Sequence, residues 1–267
     1  MIDRFGREID YMRVSVTERC NLRCVYCMPE EGIVKRSHDD MMSIEETVRA
    51  VKAAASLGIK KIRITGGEPL VKHGVLQLCS SISEIRGIEE LCMTTNGTLL
   101  RDYAKDLKLA GVSHINISLD TLREDRYRQI TRRGDLRDAL GGIEAAIKEG
   151  FDVVKINNVL LQDFNDDEIP DFVRLTVDSP IEVRFIELMP IGTEAYRVIG
   201  RYMDCKQVLD AVPDLVSLGI SDGVAGIYKL PGARGRVGLI RPVSCEFCSS
   251  CNKIRLTADG MIKPCLH

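Results

Sequence analysis

The chain has 267 residues, of which 45% are hydrophobic and 28% charged, and this balance predicts one sizeable globular domain with a small appendage. The net charge of −2 and the pI near 6.1 provide no basic field of the kind that marks nucleic-acid-binding proteins, so no nucleic acid is expected as a partner. No stretch approaches the ~20 apolar residues of a membrane span, and residues 1–11 are charged rather than signal-like. We therefore expect a cytoplasmic protein without membrane contact.

Three cysteines follow the first apolar strand, which is predicted over residues 12–16. Cys20, Cys24 and Cys27 are separated by three and then two residues. Cysteine thiolates are the usual ligands of iron-sulfur clusters, and most clusters use four of them, so this triad predicts a four-iron cluster with one iron open to an exchangeable ligand. An open iron beside a pocket indicates catalysis rather than simple electron transfer.

Short apolar strands alternate with amphipathic helices as far as residue 188. The first helix is predicted from the capping box of Ser43 and Glu46 to Gly58. Alternating strands and helices predict parallel strands with right-handed crossovers, and six such units make a partial barrel or an open sheet. The predicted strands are 12–16, 61–65, 90–95, 114–119, 152–161 and 181–188.

Several predicted strands carry polar residues at every second position, which places these residues on one face of the sheet. The sets are Lys61, Arg63 and Thr65, then Asn116, Ser118 and Asp120, and finally Lys155 and Asn157. A buried face cannot keep unpaired charge, so these sets predict a barrel interior that binds a polar, anionic ligand. The alternative for any single residue is a solvated edge or an ion pair.

The loops after these strands are polar as well, at the carboxyl ends where α/β folds bind ligands. In the loop after the second strand, Gly66 and Gly67 permit a close backbone approach, and the carboxylate of Glu68 is expected to pair with an ammonium group. Residues 94–97 and 118–120 supply further polar groups. The acidic segment 163–168 is predicted to be a solvated loop that caps a helix.

A second cysteine group lies near the end of the chain and consists of Cys245, Cys248, Cys251 and Cys265. Clustered cysteines without a secretory signal are more often metal ligands than disulfides. Three of them would hold a four-iron cluster with an open iron, four would close it, and a zinc site is the rival interpretation. The remaining cysteines are expected to be buried small hydrophobic residues. They are Cys79, Cys92 and Cys205.

The motifs at residues 17–29, 62–70 and 184–190 resemble the radical S-adenosylmethionine (SAM) superfamily and, within it, the GTP 3′,8-cyclase (MoaA) family of molybdenum cofactor biosynthesis. The resemblance extends from Arg13 to Cys265. It implies an α/β fold in which residues 1–197 form a partial (β/α)6 TIM-like barrel and a small C-terminal extension, 198–267, carries a second [4Fe-4S] cluster. The implied ligands of that cluster are Cys248, Cys251 and Cys265, with Cys245 as a bystander.

The resemblance also implies a radical lyase reaction that a cofactor drives and the protein orients. The reduced first cluster would cleave SAM to methionine and a 5′-deoxyadenosyl radical, which abstracts the C3′ hydrogen of GTP. The product would be 3′,8-cyclo-7,8-dihydro-GTP, the first intermediate of molybdopterin synthesis. A flavodoxin or ferredoxin as one-electron reductant, the cyclic pyranopterin monophosphate synthase MoaC as recipient of the product, and a homodimer are further expectations.

The contacts of the family can be carried over position by position. The implied SAM-binding residues are Tyr26, Gly66, Gly67, Glu68, Ser118 and Met189. The implied GTP-binding residues are Arg13, Arg63, Thr94, Lys155, Lys253, Ile254 and Arg255. Many members have arginine at the position of Lys253, and lysine offers a point charge in place of a planar fork.

The chain ends at His267, whereas the family continues into a segment that ends in two glycines and supports cyclisation. The expectation is either a truncated chain or a protein that binds its clusters and SAM but cyclises GTP poorly. Two alternative functions remain, a peptide-modifying radical SAM enzyme with an auxiliary cluster and a noncatalytic iron-sulfur electron carrier.

Overall fold

The computed structural model describes residues 1–33, 37, 40–222, 224–245 and 247–265. The end of the chain at His267, on which one expectation above depends, lies outside these residues. Among the described residues, no helix combines the length and the apolar character that crossing a membrane requires.

One sheet organises the described part of the chain, with the strand order β11-β10-β1-β2-β3-β4-β5-β6-β9-β8-β7. The strands are β1 (Tyr11–Ser15), β2 (Lys61–Thr65), β3 (Glu90–Thr95), β4 (His114–Ser118), β5 (Val153–Leu160), β6 (Glu182–Glu187), β7 (Val216–Asp222), β8 (Ala225–Lys229), β9 (Arg236–Ile240), β10 (Lys253–Leu256) and β11 (Ile262–Lys263). The helices are α1 (Ile44–Ser56), α2 (Val75–Ser83), α3 (Leu100–Leu109), α4 (Glu124–Thr131), α5 (Leu136–Lys148), α6 (Ile169–Asp178), α7 (Gly192–Arg197) and α8 (Gln207–Ala211). The six predicted strands β1 to β6 are all present, within one or two residues of their expected ends.

The parallel part of the sheet is wider than the six strands that the sequence predicts. β9 pairs in parallel with β6, and β10 pairs in parallel with β1. The C-terminal region therefore adds one parallel strand to each side of the six-strand unit, and the antiparallel strands β7, β8 and β11 extend it further. The division at residue 197 remains a prediction, because the segments before and after it share one sheet.

The helices cover the outer face of the sheet and bury its apolar side chains. Ser43 caps α1 by the predicted capping box with Glu46, and Gly58 just after the helix has a φ of +99°. In the core, the rings of Phe172 on α6 and Phe185 on β6 pack edge to face with centroids 6.3 Å apart, and neither ring is exposed to solvent. Burying side chains of this size contributes about 1.5–3 kcal/mol each, which holds the helices on the sheet.

The inner face of the sheet carries the polar side chains. Arg63, Asn116 and Lys155 alternate in sequence with apolar core residues and are nevertheless buried, each less than 8% exposed. The period of two along a strand puts them on the opposite face from the core. The predicted polar interior is therefore present, and it lies beneath the loops that follow the strands.

Candidate active site

The first cysteine triad lies in the loop after β1, at the carboxyl end of the parallel strands. The amides of Cys27 and Met28 donate to the carbonyl of Cys24 at 2.9 and 3.2 Å, which forms a tight turn around that residue. Arg132, just after α4, donates to the carbonyls of Arg23 and Met28 at 3.0 Å each. These bonds fix the loop against the end of α4.

The electrostatics of this loop fit a cationic iron-sulfur cluster. Burial raises the pKa of the Cys24 thiol well above its ordinary value, and the neighbouring Cys27, Asp120 and Cys20 raise it further. Three thiolates beside a carboxylate repel each other, so they need a bound metal to stay deprotonated together. Cys20 already accepts hydrogen bonds through Sγ from the amide of Leu22 at 3.4 Å and from the side chain of Asn96 at 3.8 Å.

The two glycines after β2 bring a second loop against the cysteine loop. Gly67 and Glu68 donate their amides to the carbonyls of Thr17 and Arg19, both at 2.8 Å. A Cβ atom on Gly66 would lie 2.5 Å from the carbonyl oxygen of Thr17, and one on Gly67 would lie 2.3 Å from that of Arg19. The close approach predicted from the sequence therefore occurs, but its partner in this structure is the backbone of the cysteine loop.

Glu68 has a different environment from the expected one. Its side chain is fully buried, and its Oε1 accepts bonds from the amide of Leu70 at 3.0 Å and the hydroxyl of Thr95 at 2.7 Å. Its Oε2 accepts the amide of Asn96 at 2.6 Å. Both oxygens thus tie the loop after β2 to the loop after β3, and an ammonium group would compete with these donors. The burial itself raises the pKa of Glu68.

Tyr26 lies beside the triad and donates its hydroxyl to Oδ2 of Asp120 at 2.5 Å. The amide of Val159 donates to the other oxygen at 2.8 Å. Burial raises the pKa of Asp120 to about 6, although both hydrogen bonds act in the opposite direction. Ser118, at the end of β4, and Met189, just after β6, are partly exposed at the same end of the sheet. The cysteine loop with Tyr26, the glycine loop after β2, Ser118 and Met189, which the resemblance assigns to SAM, therefore all lie at the carboxyl end of the sheet.

The acidic segment 163–168 leads into α6 as predicted, but it is only partly solvated. Asn165 is 1% exposed, and its amide nitrogen donates to the carbonyls of Asp120 at 2.7 Å and Val159 at 2.9 Å. Glu168 is fully buried and accepts the hydroxyl of Thr121 and the amide of Leu122 at 2.7 and 2.6 Å. The predicted solvation was therefore wrong for Asn165 and Glu168, which satisfy polar groups of the loop that holds Asp120, whereas Asp163 and Asp167 are exposed.

A cluster of cationic side chains lies on the inner face below these loops. In the sheet, Arg13 stands between Arg63 and Arg255 on the two neighbouring strands. The pKa of Arg13 is lowered to about 10, mainly by burial; the charges of Arg255 and Arg63 act in the same direction, and Tyr11 acts against them. The Nε of Arg13 is a buried donor without a hydrogen-bond partner. An unpaired donor among like charges favours an anionic ligand, because burying it without one is costly.

Lys155 and two arginines pair with a buried carboxylate at the start of β6. Glu182 is 2% exposed and accepts Lys155 at 3.4 Å, together with ion pairs from Arg184 and Arg236. Lys155 therefore forms the ion pair that the sequence analysis gave as an alternative for each polar strand residue. Arg184 is an interior cation that the sequence analysis did not place in the site, although its spacing of two from Glu182 on β6 indicates a shared face.

The other residues assigned to GTP are Lys253, Ile254 and Thr94, and their side chains have different surroundings. Lys253 lies with its Nζ 5.4 Å from the ring centroid of Tyr11 and donates to the side chain of Asn252 at 2.8 Å. Ile254 packs its side chain against the apolar core, on the opposite face of β10 from Lys253 and Arg255. Thr94 stands opposite Asn116 in the pairing of β3 with β4.

One group of side chains was missed at the opposite end of the strands. Cys92 is buried, as predicted, but its Sγ lies 3.7 Å from Nδ1 of His114, which is 3.0 Å from Oε2 of Glu90. The potential metal-ligating atoms of these three side chains all lie within 4.8 Å of one another. The ammonium of Lys61 lies 2.5 Å from the same oxygen of Glu90, so the group is part of an ion-pair network. Alternation along β3 and β4 was the signal that could have found it.

The second cysteine group is built on the loop before β10. Glu187, buried at the end of β6, accepts the amides of Val243 and Ser244 at 2.9 Å each and so anchors this loop. The amide of Cys251 donates to the carbonyl of Cys248 at 3.3 Å.

The fourth cysteine of the group returns through β11. Arg255 pairs with Lys263 in the antiparallel hairpin of β10 and β11, so the register places Cys265 level with Lys253, two residues after Cys251. A single Zn²⁺ would hold its sulfurs within ~3.8 Å of each other. In the described part of the chain, no three of these cysteines are gathered within 4.8 Å, and this spread does not favour one zinc ion.

Comparisons with known proteins agree with these two halves of the site. Residues 14–176 match the family described as Radical SAM superfamily, and residues 181–267 match the family described as Molybdenum Cofactor Synthesis C. A protein of Alkaliphilus metalliredigens (strain QYMF) named GTP 3′,8-cyclase is 52% identical over 269 residues, which cover 100% of this chain and 84% of that protein. A protein of the same name from Peptoclostridium acidaminophilum is 50% identical over 270 residues, covering 100% and 83% of the two chains.

A solved structure shares the fold. The structure of Streptococcus suis SuiB bound to precursor peptide SuiA superimposes with a TM-score of 0.70 at 17% identity, over 97% of this chain and 60% of that one.

Proposed function

The chain belongs to the radical SAM superfamily and, within it, to the GTP 3′,8-cyclase family, and we propose that it converts GTP to 3′,8-cyclo-7,8-dihydro-GTP in the first step of molybdenum cofactor biosynthesis. The observation that carries the proposal is the unpaired, buried Nε of Arg13, which lies in a cationic interior beneath the first cysteine triad. A triphosphate bears about four negative charges near neutral pH, and charge-assisted bonds from arginine and lysine are the strong class of contact.

Cys20, Cys24 and Cys27 would hold the first [4Fe-4S] cluster beside the SAM site. When bound, the reduced cluster and SAM would supply the radical chemistry that removes the C3′ hydrogen of GTP. The protein's part is to fix the geometry. The bonds from Arg132 and from Gly67 hold the cysteine loop from two sides, so the triad stands in one place over the interior.

SAM would lie across the strand ends between the glycine loop and Asp120. Tyr26, Gly66, Gly67, Ser118 and Met189 border this edge. Glu68 would act there by joining the loops after β2 and β3, through bonds to Thr95 and Asn96.

The triphosphate would occupy the interior lined by Arg13, Arg63, Lys155 and Arg255. Arg63 is held in place by its bond to the hydroxyl of Tyr11 and by a 3.1 Å bond from Nη1 to the carbonyl of Met93. A guanidinium fixed in this way loses little entropy when it binds a phosphate, which favours tight and oriented binding.

Cys248, Cys251 and Cys265 would hold a second [4Fe-4S] cluster, which would supply a binding site for the guanine. The support comes from the sequence around β10. This strand begins two residues after Cys251, and its residues Lys253 and Arg255 face the same interior as Arg13. Phosphate-binding cations and the second cysteine group are thus parts of one strand and its preceding loop, so one ligand can reach both.

The remaining expectations belong to the proposal as well. A one-electron reductant of the flavodoxin or ferredoxin type would reduce the first cluster, and cyclic pyranopterin monophosphate synthase would take the product. The enzyme would act as a cytoplasmic homodimer, with residues 1–197 as barrel and 198–267 as the cluster-bearing extension.

A binding experiment on Arg255 tests the GTP site. Arg255→Ala should weaken GTP binding by about 10- to 100-fold, which corresponds to the ~1.5–3 kcal/mol of a hydrogen bond to a charged group. Anaerobic calorimetry on the reconstituted protein measures this affinity, and SAM cleavage without GTP should be retained. The matched control is Arg86→Ala, which removes an exposed arginine outside the interior. Equal GTP affinity in both variants would contradict the site, and loss of cluster iron would assign Arg255 a structural role.

A further inference from the structure

The first residues of the chain form a turn from Asp3 to Arg7 that holds the guanidinium of Arg7. Nε and Nη2 of Arg7 lie 2.8 and 2.7 Å from one oxygen of Asp3, Oδ2, in an ion pair. The other oxygen, Oδ1, accepts the amides of Phe5 at 2.9 Å and Arg7 at 3.0 Å, and Gly6 closes the turn with a φ of +77°. An ion pair through two nitrogens and a closed turn together restrict the direction of the side chain. The turn therefore sets where Arg7 points.

Arg7 points to the second cysteine group. Its Nη1 donates to the carbonyl of Cys248 at 3.4 Å, 241 residues later in the chain. Its bond with Asp3 is the main reason that the pKa of Arg7 is raised, and the thiolates of Cys251 and Cys265 raise it further. The side chain of Arg7 is only 15% exposed in this position. Arg7 thus contacts the backbone of one residue assigned to the second cluster, and the charges of the other two act on it.

We propose that Arg7, positioned by Asp3, sets the reduction potential of the second cluster. The proposal rests on the proposed function, since it requires a [4Fe-4S] cluster on Cys248, Cys251 and Cys265. Reduction adds one negative charge to the cluster and its thiolates. A nearby guanidinium stabilises that charge and so raises the potential, whereas the carboxylate of Asp3, which is paired with the guanidinium, offsets part of this effect.

Removing Arg7 and removing the charge of Asp3 should shift the reduction potential of the second cluster in opposite directions. Arg7→Gln removes the positive charge and should make the potential of the second cluster more negative. Asp3→Asn removes the negative charge but keeps a side-chain oxygen that can accept the amides of Phe5 and Arg7, so the turn is retained. Arg7 is then uncompensated, and the same potential should become less negative. A substitution that merely loosened the turn would move both variants in one direction, so the opposite signs separate charge from packing.

The experiment is an anaerobic redox titration of the reconstituted protein, followed by electron paramagnetic resonance of both reduced clusters. Addition of SAM marks the signal of the first cluster, which serves as the internal reference. The control is Arg4→Gln, because Arg4 lies in the same turn but contacts the exposed ring of Phe5, with Cζ 4.9 Å from its centroid. Arg7→Lys keeps the charge and should restore most of the potential.

The expected result is a shift of the second cluster alone, in opposite directions for Arg7→Gln and Asp3→Asn, and no shift for Arg4→Gln. Unchanged potentials in all variants would overturn the inference. It would also be overturned if the variants lost iron from the second site while the second clusters that stayed bound kept the wild-type potential. A wild-type protein that binds a single cluster would instead overturn the second cluster of the proposed function. The cluster count of the wild-type protein therefore distinguishes the two failures.

Discussion

Replacing Gly67 by alanine tests how the two loops of the SAM edge are held together. The Cβ atom that Gly67→Ala introduces would lie 2.3 Å from the carbonyl oxygen of Arg19 and 2.7 Å from that of Glu18. Both contacts are backbone atoms of the cysteine loop, which have no free rotation to relieve them. The glycine loop and the cysteine loop must therefore move apart.

The size of the effect follows from this geometry. Ordinary contacts begin near 3.4 Å, so the loops must separate by about 1 Å. Overpacking of this kind costs ~1–3 kcal/mol of folding free energy. A displacement of about 1 Å near reacting groups costs on the order of 10²-fold in rate. The larger consequence of Gly67→Ala is thus expected in SAM cleavage rather than in folding.

Two measurements separate these consequences. SAM cleavage to 5′-deoxyadenosine is followed in reconstituted protein, and chemical denaturation gives the free energy of unfolding. Gly226→Ala is the matched control, because a Cβ there would lie 3.6 Å from the ring of Tyr228, an ordinary contact, at an exposed position of β8. The control should retain both stability and cleavage.

The reasoning fails if Gly67→Ala retains cleavage and stability equal to those of the control. It also fails if the second cysteine group loses its iron while the first triad keeps it, since the clash lies wholly at the first loop.

Three further changes give separate predictions. Glu68→Gln places an amide group among three donors, so it should lower the free energy of unfolding by ~1–3 kcal/mol in denaturant titrations; unchanged stability with weaker SAM binding would instead favour direct pairing of Glu68 with an ammonium group. Cys24→Ala should abolish SAM cleavage while the buried control Cys79→Ala retains it, and cleavage by Cys24→Ala would refute the assignment of the triad. For Glu182, burial alone raises the pKa, but the ion pairs with Arg184, Lys155 and Arg236 outweigh it and lower the pKa below its ordinary 4.5. The stability that these pairs provide is therefore present above pH 4.5 and lost as the pH falls through the lower folded-state pKa, so Glu182→Gln should show a shallower loss of stability in acid; an equal loss in both proteins would contradict this.

The sequence was a good guide wherever the signal was local. Capping of α1 by Ser43 and the six strands β1 to β6 followed from periodicity and turn residues, and the structure has them all. The charged interior was also predictable, because Arg63 and Lys155 interrupt runs of apolar residues that otherwise mark buried strands. Local patterns suffice when a residue's own strand determines its environment.

The rest depended on contacts between distant segments. No local pattern shows that β10 pairs with β1, so the adjacency of Arg13 and Arg255 could not be derived from strand periodicity. Glu68 and Glu168 were given solvent or ligand partners from their charge, but both bind backbone amides of other loops. A buried carboxylate that satisfies backbone donors has the same sequence signature as an exposed or catalytic one.

The most direct test of the proposed function is the fate of the C3′ hydrogen of GTP. Reconstituted protein is incubated anaerobically with reductant, SAM and GTP deuterated at C3′, and 5′-deoxyadenosine and the cyclised nucleotide are analysed by mass spectrometry. We predict that deuterium moves from GTP to 5′-deoxyadenosine and that 3′,8-cyclo-7,8-dihydro-GTP is formed. Unlabelled 5′-deoxyadenosine without a cyclised nucleotide, in protein with both clusters loaded, would contradict this function.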